Sequence, residues 1–197
     1  MAGTPLILQP LVKYVDFNGR ARRAEFWPFY LLVMVVFWVV EGWLLLPFLP
    51  LLKGGQVDIA AVLKSIIPPY VAICGLGLLL LLPLLGLQVR RLHDSNRTGW
   101  WVILPMGASY VGQTLVYIFQ GDAIMRATQA MQAQMQTEMM NGGFDFSKIL
   151  ELEWPVMGIT LPYTMGASLV ATLILWFFFA MPGTNGPNRF GTDPKAQ

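Results

Sequence analysis

Apolar residues run almost unbroken through four stretches of this chain, and the charged residues gather in the gaps between them. The first stretch, 27–52, reads WPFYLLVMVVFWVVEGWLLLPFLPLL, and the second, 66–87, reads IIPPYVAICGLGLLLLLPLLGL. The third, 100–119, is interrupted by Ser109, Gln113 and Thr114; the fourth, 156–181, closes on LILWFFFAM. A helix needs about 20 mostly apolar residues to cross a hydrocarbon core ~30 Å thick, so each stretch is predicted to span a membrane. Pro47, Gly75, Gly77, Pro83, Pro105, Gly107, Pro162 and Gly166 lie inside these stretches. They predict kinks or close helix contacts, which membrane helices tolerate when neighbours satisfy the freed backbone groups.

One long polar connection, 120–155, separates the third and fourth stretches. Its first half, DAIMRATQAMQAQMQTEMMN, is rich in helix formers, and Ile124, Thr128, Met131, Met135 and Met139 fall on one face at helical spacing. That pattern predicts an external amphipathic helix. Gly142 and Gly143 should break it, and SKILELEWP should start a second short helix capped by Ser147. Neither an internal repeat nor a Gly/Ser linker divides the chain. The expected fold is therefore an all-α membrane protein: a single domain, 1–197, of four transmembrane helices plus an external amphipathic helical insertion between helices 3 and 4.

Composition agrees with a bilayer solvent, since 55% hydrophobic residues and a mean hydropathy of +0.56 exceed those of an ordinary soluble domain. The first apolar run meets no small-residue cleavage site, so it reads as a retained anchor rather than a signal peptide. A net charge of +2 says little about partners, but the placement of the charges is informative. Four spans put the N-terminus, the 88–99 turn and the C-terminus on one side, with Lys13, Arg20, Arg22, Arg23, Arg90, Arg91, Arg97, Arg189 and Lys195. The other side holds Lys53, Lys64, Arg126 and Lys148. This excess of nine over four places both termini in the cytoplasm by the positive-inside rule.

Three cytoplasmic segments carry most of the candidate chemistry. In YVDFNGRARRAEFW, 14–27, Asn18 and Gly19 are expected to start a helix that sets Arg20 and Arg23 on one side, with Glu25 and Trp27 at headgroup depth. Basic residues at a helix start oppose its dipole. Lipid phosphates could compensate them, or acidic groups on another segment could. VRRLHDSNRTGWW, 89–101, has the composition of a tight polar turn closed by the interfacial Trp100 and Trp101. Within it His93, the only histidine, adjoins Asp94; such a pair can do acid–base work, but adjacent residues more often serve a turn. MPGTNGPNRFGTDPKAQ, 181–197, leaves the fourth helix through Pro182 and Gly183 and is either a disordered tail or a fold-back around Asn188, Arg189 and Phe190.

Glu41 is a candidate of another kind, a carboxylate inside the first span, where it could line a solute pathway or reach the far interface. Met125, Met131, Met135, Met139 and Met140 suit soft copper(I), although a methionine stripe more often forms an adaptable apolar face, and no His or Cys lies nearby. A lone Cys74 excludes an internal disulfide and a cysteine-cluster metal site. No phosphate-binding loop, dinucleotide fingerprint, nucleophile elbow or zinc motif is present. No cofactor, metal or nucleic acid is therefore expected.

The entry DFNGRARRAEFW, the turn RRLHDSNRTGWW and the exit PGTNGPNRFGTDP, in that order, resemble the DUF805 family of small bacterial inner-membrane proteins. The family pattern falls on Phe17, Gly19, Arg20, Arg23, Phe26 and Trp27; on Arg90, Arg91, Leu92, His93, Asp94, Gly99 and Trp100; and on Pro182, Gly183, Asn188, Arg189, Gly191 and Pro194. The resemblance implies a multi-pass inner-membrane protein and supplies no biochemical activity. This chain departs from the family's shorter members in its long methionine- and glutamine-rich external segment.

The expected function is a non-enzymatic binding or scaffolding role, with no catalytic residue. The cytoplasmic binding face would be Arg20, Arg23, Arg90, Arg91, His93, Asp94, Arg97, Trp100, Asn188 and Arg189. It would engage anionic lipid headgroups or an inner-membrane protein partner, with Asp94 and Asp16 holding the arginine forks by bidentate pairing. The alternatives are a small oligomeric transporter or channel component using Glu41 and, less favoured, an enzyme on a lipid-linked substrate with His93 and Asp94 as acid and base.

Overall fold

The computed structural model describes residues 5–49, 59–140 and 146–195. Among them the regular elements are helical: α1 (Gln9–Val12), α2 (Arg23–Leu45), α3 (Ile59–Asp94), α4 (Leu104–Met140) and α5 (Phe146–Ala180). Short 3₁₀ turns occupy Leu6–Leu8, Leu46–Phe48 and Gly99–Ile103. Four segments are long and apolar enough to cross a membrane: Arg23–Phe48, Lys64–Asp94, Gly99–Thr137 and Val156–Ala180. The four predicted stretches fall on these segments, apart from Leu49 and Met181, which lie one residue beyond them, and residues 50–52, which lie outside the described residues. Large apolar side chains point outward along them, with Trp38 70%, Leu78 75% and Tyr110 76% exposed. Such a surface requires an apolar solvent.

Several boundaries differ from those expected. Asn18 and Gly19 do not start α2. Gly19 turns the chain at φ +80°, Arg20 and Ala21 run along the end of α3 with the Ala21 amide donating to the Arg90 carbonyl at 3.0 Å, and the helix begins only at Arg23 after an extended Arg22. The 88–99 turn is also shorter than expected, because α3 continues to Asp94. Arg91 and His93 sit in its last turn, where cations suit the negative end of the helix dipole. Asn96 then stops the helix at φ +58°, with its amide on the His93 carbonyl and the Arg97 amide on the Leu92 carbonyl. That bond pair is a Schellman motif with asparagine in the left-handed position usually held by glycine.

The external amphipathic helix is not a separate element. Nothing between residues 119 and 140 stops a helix except the tolerated Gly121, so α4 runs without interruption through both the third apolar stretch and the methionine-rich segment. At ~1.5 Å per residue its 37 residues reach about 55 Å, well beyond a ~30 Å hydrocarbon core. Ile124, Thr128, Met131 and Met135 lie on its half-buried side, while Met125 and Met140 are exposed. The SKILELEWP segment is likewise the first part of α5, with Ser147 inside the helix. The expected break at Gly142 and Gly143 lies outside the described residues.

The chain packs as two units, Met1–Gly99 with Phe179–Gln197, and Trp100–Phe178. In the first, Phe26 packs on Tyr30 and on Phe179 with ring centroids 5.2 and 4.5 Å away, beside the buried Phe29, Val33, Leu87 and Leu92. Pro83, inside α3, has no N–H to give the Leu79 carbonyl four residues back. The Tyr14 hydroxyl donates to that carbonyl instead, at 2.5 Å. In the second unit α4 and α5 approach closely at Gly112, where a Cβ would stand 2.7 Å from the Tyr163 carbonyl oxygen. Gly112→Ala should therefore push the two backbones apart and lower stability by about 1–3 kcal/mol. Gly166→Ala, which enters open space, should leave it nearly unchanged. Thermal melts of both variants in mild detergent measure the difference.

Candidate functional site

The three polar segments meet at one end of the first unit, around the Asp94 carboxylate. Asp94 ends α3, just before the Schellman turn. Its Oδ1 accepts from Arg20 Nε at 3.0 Å and forms an ion pair with Nη2 at 2.9 Å, and its Oδ2 accepts from Arg91 Nη1. The expected bidentate fork is thus replaced by an arrangement in which two arginines share one carboxylate. All three residues are buried, Arg20 at 7%, Arg91 at 0% and Asp94 at 5% exposure.

One carboxylate cannot neutralise two guanidinium groups, and backbone carbonyls supply the remainder. Arg91 donates from Nε to the Phe179 carbonyl at 2.8 Å and from Nη2 to the Met181 carbonyl. These carbonyls lie where α5 ends, at the negative end of its dipole. Arg20 donates to the carbonyls of Gly186 and Thr184, both at 2.6 Å. The tail therefore folds back over the cluster. Its Thr184 amide donates to the Asp94 carbonyl at 2.8 Å, and the Asn188 amide group donates to the His93 carbonyl at 2.9 Å. Gly183 is required for this approach, since a Cβ there would lie 2.1 Å from Asp94 Oδ2.

Arg90 organises a second cluster on the neighbouring face of α3. Its Nη1 donates to the Asp16 carbonyl, and its Nη2 stands 3.6 Å from Glu25 Oε1, with both side chains buried. Asp16 thus holds an arginine through its backbone; its carboxylate instead accepts the Asn18 amide at 3.0 Å and shapes the Gly19 turn. Gly86 lets the chain pass, as a Cβ there would meet the Asp16 carbonyl oxygen at 3.2 Å. Glu25, expected at headgroup depth, is 4% exposed and faces Arg90.

His93 is wedged between the N-terminal loop and the tail. Its Nδ1 lies 3.1 Å from the Gly19 carbonyl, which can only accept, so Nδ1 carries a proton. Its ring stacks on Phe190 at 3.8 Å, and the Arg189 guanidinium covers the same phenyl ring at 4.6 Å. Asp94 is held by arginines rather than by His93, so the adjacent pair does not form an acid–base couple.

The cluster therefore unites Arg20, Arg91, His93, Asp94 and Asn188, with Arg90 beside them. Arg23 and Arg189 are exposed at its rim, donating to the Ala180 carbonyl at 3.5 Å and the Asn96 carbonyl at 3.1 Å. Arg97 is half-buried and points Nη2 at the Met181 sulfur, 3.4 Å away. Trp100 belongs to the other unit and is 77% exposed. Glu41 is exposed on α2, 16 residues past Glu25, hence about 24 Å further along the helix. It does not join the cluster. Sequence reasoning left Glu25, Gly183 and Thr184 out of the site. Glu25 could have been sought as a counter-charge for the buried arginines, but Thr184 acts through its backbone N–H and C=O, which leave no chemical signal, as well as through its hydroxyl, which donates to the Asp94 carbonyl at 3.2 Å and accepts from the Asn188 amide group at 2.9 Å.

Among the described residues no group of three or more His, Cys, Asp or Glu side chains could hold a metal ion. The family model described as "Protein of unknown function (DUF805)" matches residues 14–192. The Inner membrane protein YhaH of Escherichia coli (strain K12) is 34% identical over 116 residues, which cover 59% of this chain and 84% of that relative. The Inner membrane protein YhaI of the same organism is 31% identical over 112 residues, 57% of this chain and 79% of the relative. No solved structure matches the chain.

Two outcomes follow from this geometry. Asp94→Asn would strand two buried guanidinium groups, a change expected to cost about 3–5 kcal/mol; denaturation in mild detergent should show that loss, with the tail more open to proteolysis. At the rim, the backbone N–H groups of Lys195 and then Gly186 hold the Asp193 carboxyl below the usual carboxylate range. A depressed carboxylate favours the folded tail above its unfolded value and loses that contribution as pH falls through the folded one. Protease sensitivity of the tail should thus rise below about pH 4, and Asp193→Asn should remove that pH-dependent component.

Proposed function

Because this chain belongs to the DUF805 family and is an integral inner-membrane protein, we propose that it is a non-enzymatic scaffold whose polar cap faces the cytoplasm and holds anionic lipid headgroups at its rim. The observation that carries this reading is a division of labour among the arginines. Arg20, Arg90 and Arg91 direct their guanidinium groups inward and build the cap. Arg23, Arg189 and Lys195 remain exposed at its edge. The two most buried carboxylates of these segments, Asp94 and Glu25, face inward toward arginines, so the rim keeps an excess of positive charge. A basic rim beside membrane-spanning helices attracts anionic headgroups by about 1 kcal/mol per cation. The non-enzymatic part rests on the engagement of Asp94 by arginines and on the wedged setting of His93.

Native mass spectrometry of protein extracted from membranes in mild detergent tests the proposal. The variant with Arg23, Arg189 and Lys195 all replaced by alanine should retain less anionic lipid, by roughly fivefold per cation removed, while circular dichroism shows its helices intact. Equal retention would remove the rim from lipid binding.

A second reading, a small oligomeric transporter, draws support from Glu41. A carboxylate exposed on an apolar helix face is unfavourable without a partner or a proton. Solute flux in proteoliposomes that vanishes in Glu41→Gln would favour it over the scaffold reading.

A further inference from the structure

The N-terminal segment before the cap has an exposed apolar face. Leu6, Leu8, Leu11, Val12 and Val15 are 45%, 41%, 41%, 53% and 65% exposed. Solvent-facing aliphatic side chains at this density would be a liability in a cytoplasmic tail. The segment is also firmly held, because Pro10 is fully buried and Arg90 Nη1 donates to the Lys13 carbonyl at 3.4 Å as well as to that of Asp16.

Its anchor points fix its depth. The Asp16 carbonyl passes Gly86, and the Tyr14 hydroxyl reaches the Leu79 carbonyl freed by Pro83. Gly86 and Leu79 precede Asp94 by eight and fifteen residues, hence by about 12 and 22 Å along α3. Both lie inside the membrane-crossing segment Lys64–Asp94. At this level α3 itself presents lipid-type surface, with Leu78, Leu81 and Leu82 exposed at 75%, 50% and 37%. The exposed side chains of the N-terminal segment continue that surface.

We propose that residues 5–15 form an in-plane membrane anchor, sunk to the boundary between headgroups and acyl chains on the cap side, with Leu6, Leu8, Leu11, Val12 and Val15 in contact with lipid tails. Amphipathic segments of this kind bury their apolar face about 5–10 Å below the headgroups. Lys13 follows α1 within the segment with a half-buried side chain, whose stem can follow the apolar surface while its ammonium reaches the phosphates. Tyr14 gives the anchor its specific seat, since only an interrupted helix offers a carbonyl there. The anchor does not depend on the headgroup-binding role of the rim.

Spin labels placed singly at Leu8, Leu11 and Val12, in a Cys74→Ser background and in vesicles of phosphatidylethanolamine and phosphatidylglycerol, test this. Each label should collide several-fold more often with dissolved oxygen than with a water-soluble nickel chelate, and a label at the exposed Lys195 should show the reverse. Adding Tyr14→Phe should raise nickel access at Val12 while circular dichroism stays helical. Labels at the three sites that favour nickel would overturn the anchor. Labels shielded from both reagents would overturn it as well, showing that protein, such as a second copy, covers the face.

Discussion

Burial of Arg20 and Arg91 around the single carboxylate of Asp94 is the constraint on which the polar cap depends. A guanidinium group taken out of water is strongly destabilising unless its charge and its donors are met. One carboxylate meets part of that need. The rest must come from carbonyls that point at the cluster: those ending α5, and those of Thr184 and Gly186 in the tail. This requirement draws three segments far apart in sequence to one place. It also explains the small residues among them, because Gly183 and Gly86 stand where a side chain would collide with Asp94 or with the Asp16 carbonyl.

Much of this was legible in the sequence, because hydropathy alone reports where helices can cross a bilayer. The four apolar stretches and the gathering of arginines at three gaps follow from the solvent, and both correspond to observed features. What could not be read was the direction in which each arginine points. Arg20 and Arg23 look alike in GRARRAEFW, yet the first is buried against Asp94 and the second is exposed. The difference arises from Gly19, whose positive φ turns Arg20 back along α3 before the helix begins. Helix ends were misjudged for a related reason. Asp94, Ser95 and Asn96 all have turn character, but only Asn96 takes the left-handed conformation that stops α3. The continuity of α4 escaped because the change from apolar to methionine- and glutamine-rich composition alters the solvent without altering helix propensity.

With the inner arginines engaged inside the protein, the cap is a folded element of the molecule. Its interior sets shape, and its rim is where the proposed contact with anionic headgroups would be made. The N-terminal segment adds an apolar counterpart, tied to α3 through Arg90 and through the carbonyl that Pro83 releases. A bilayer can reward both arrangements, since headgroups attract cations while the acyl region accepts aliphatic side chains. Glu41 stands apart from this scheme, exposed on an apolar helix.

The central claim is that the tail is bound into the arginine cluster as part of the fold. Amide hydrogen exchange of the unmodified protein in lipid nanodiscs tests it directly at Thr184, whose N–H is bonded to the Asp94 carbonyl at 2.8 Å. Membership in the folded cap predicts exchange orders of magnitude slower there than in an unstructured peptide of the same tail sequence. Exchange at the peptide's rate would mean that the tail is a solvated extension, and that the buried arginines are not held as described.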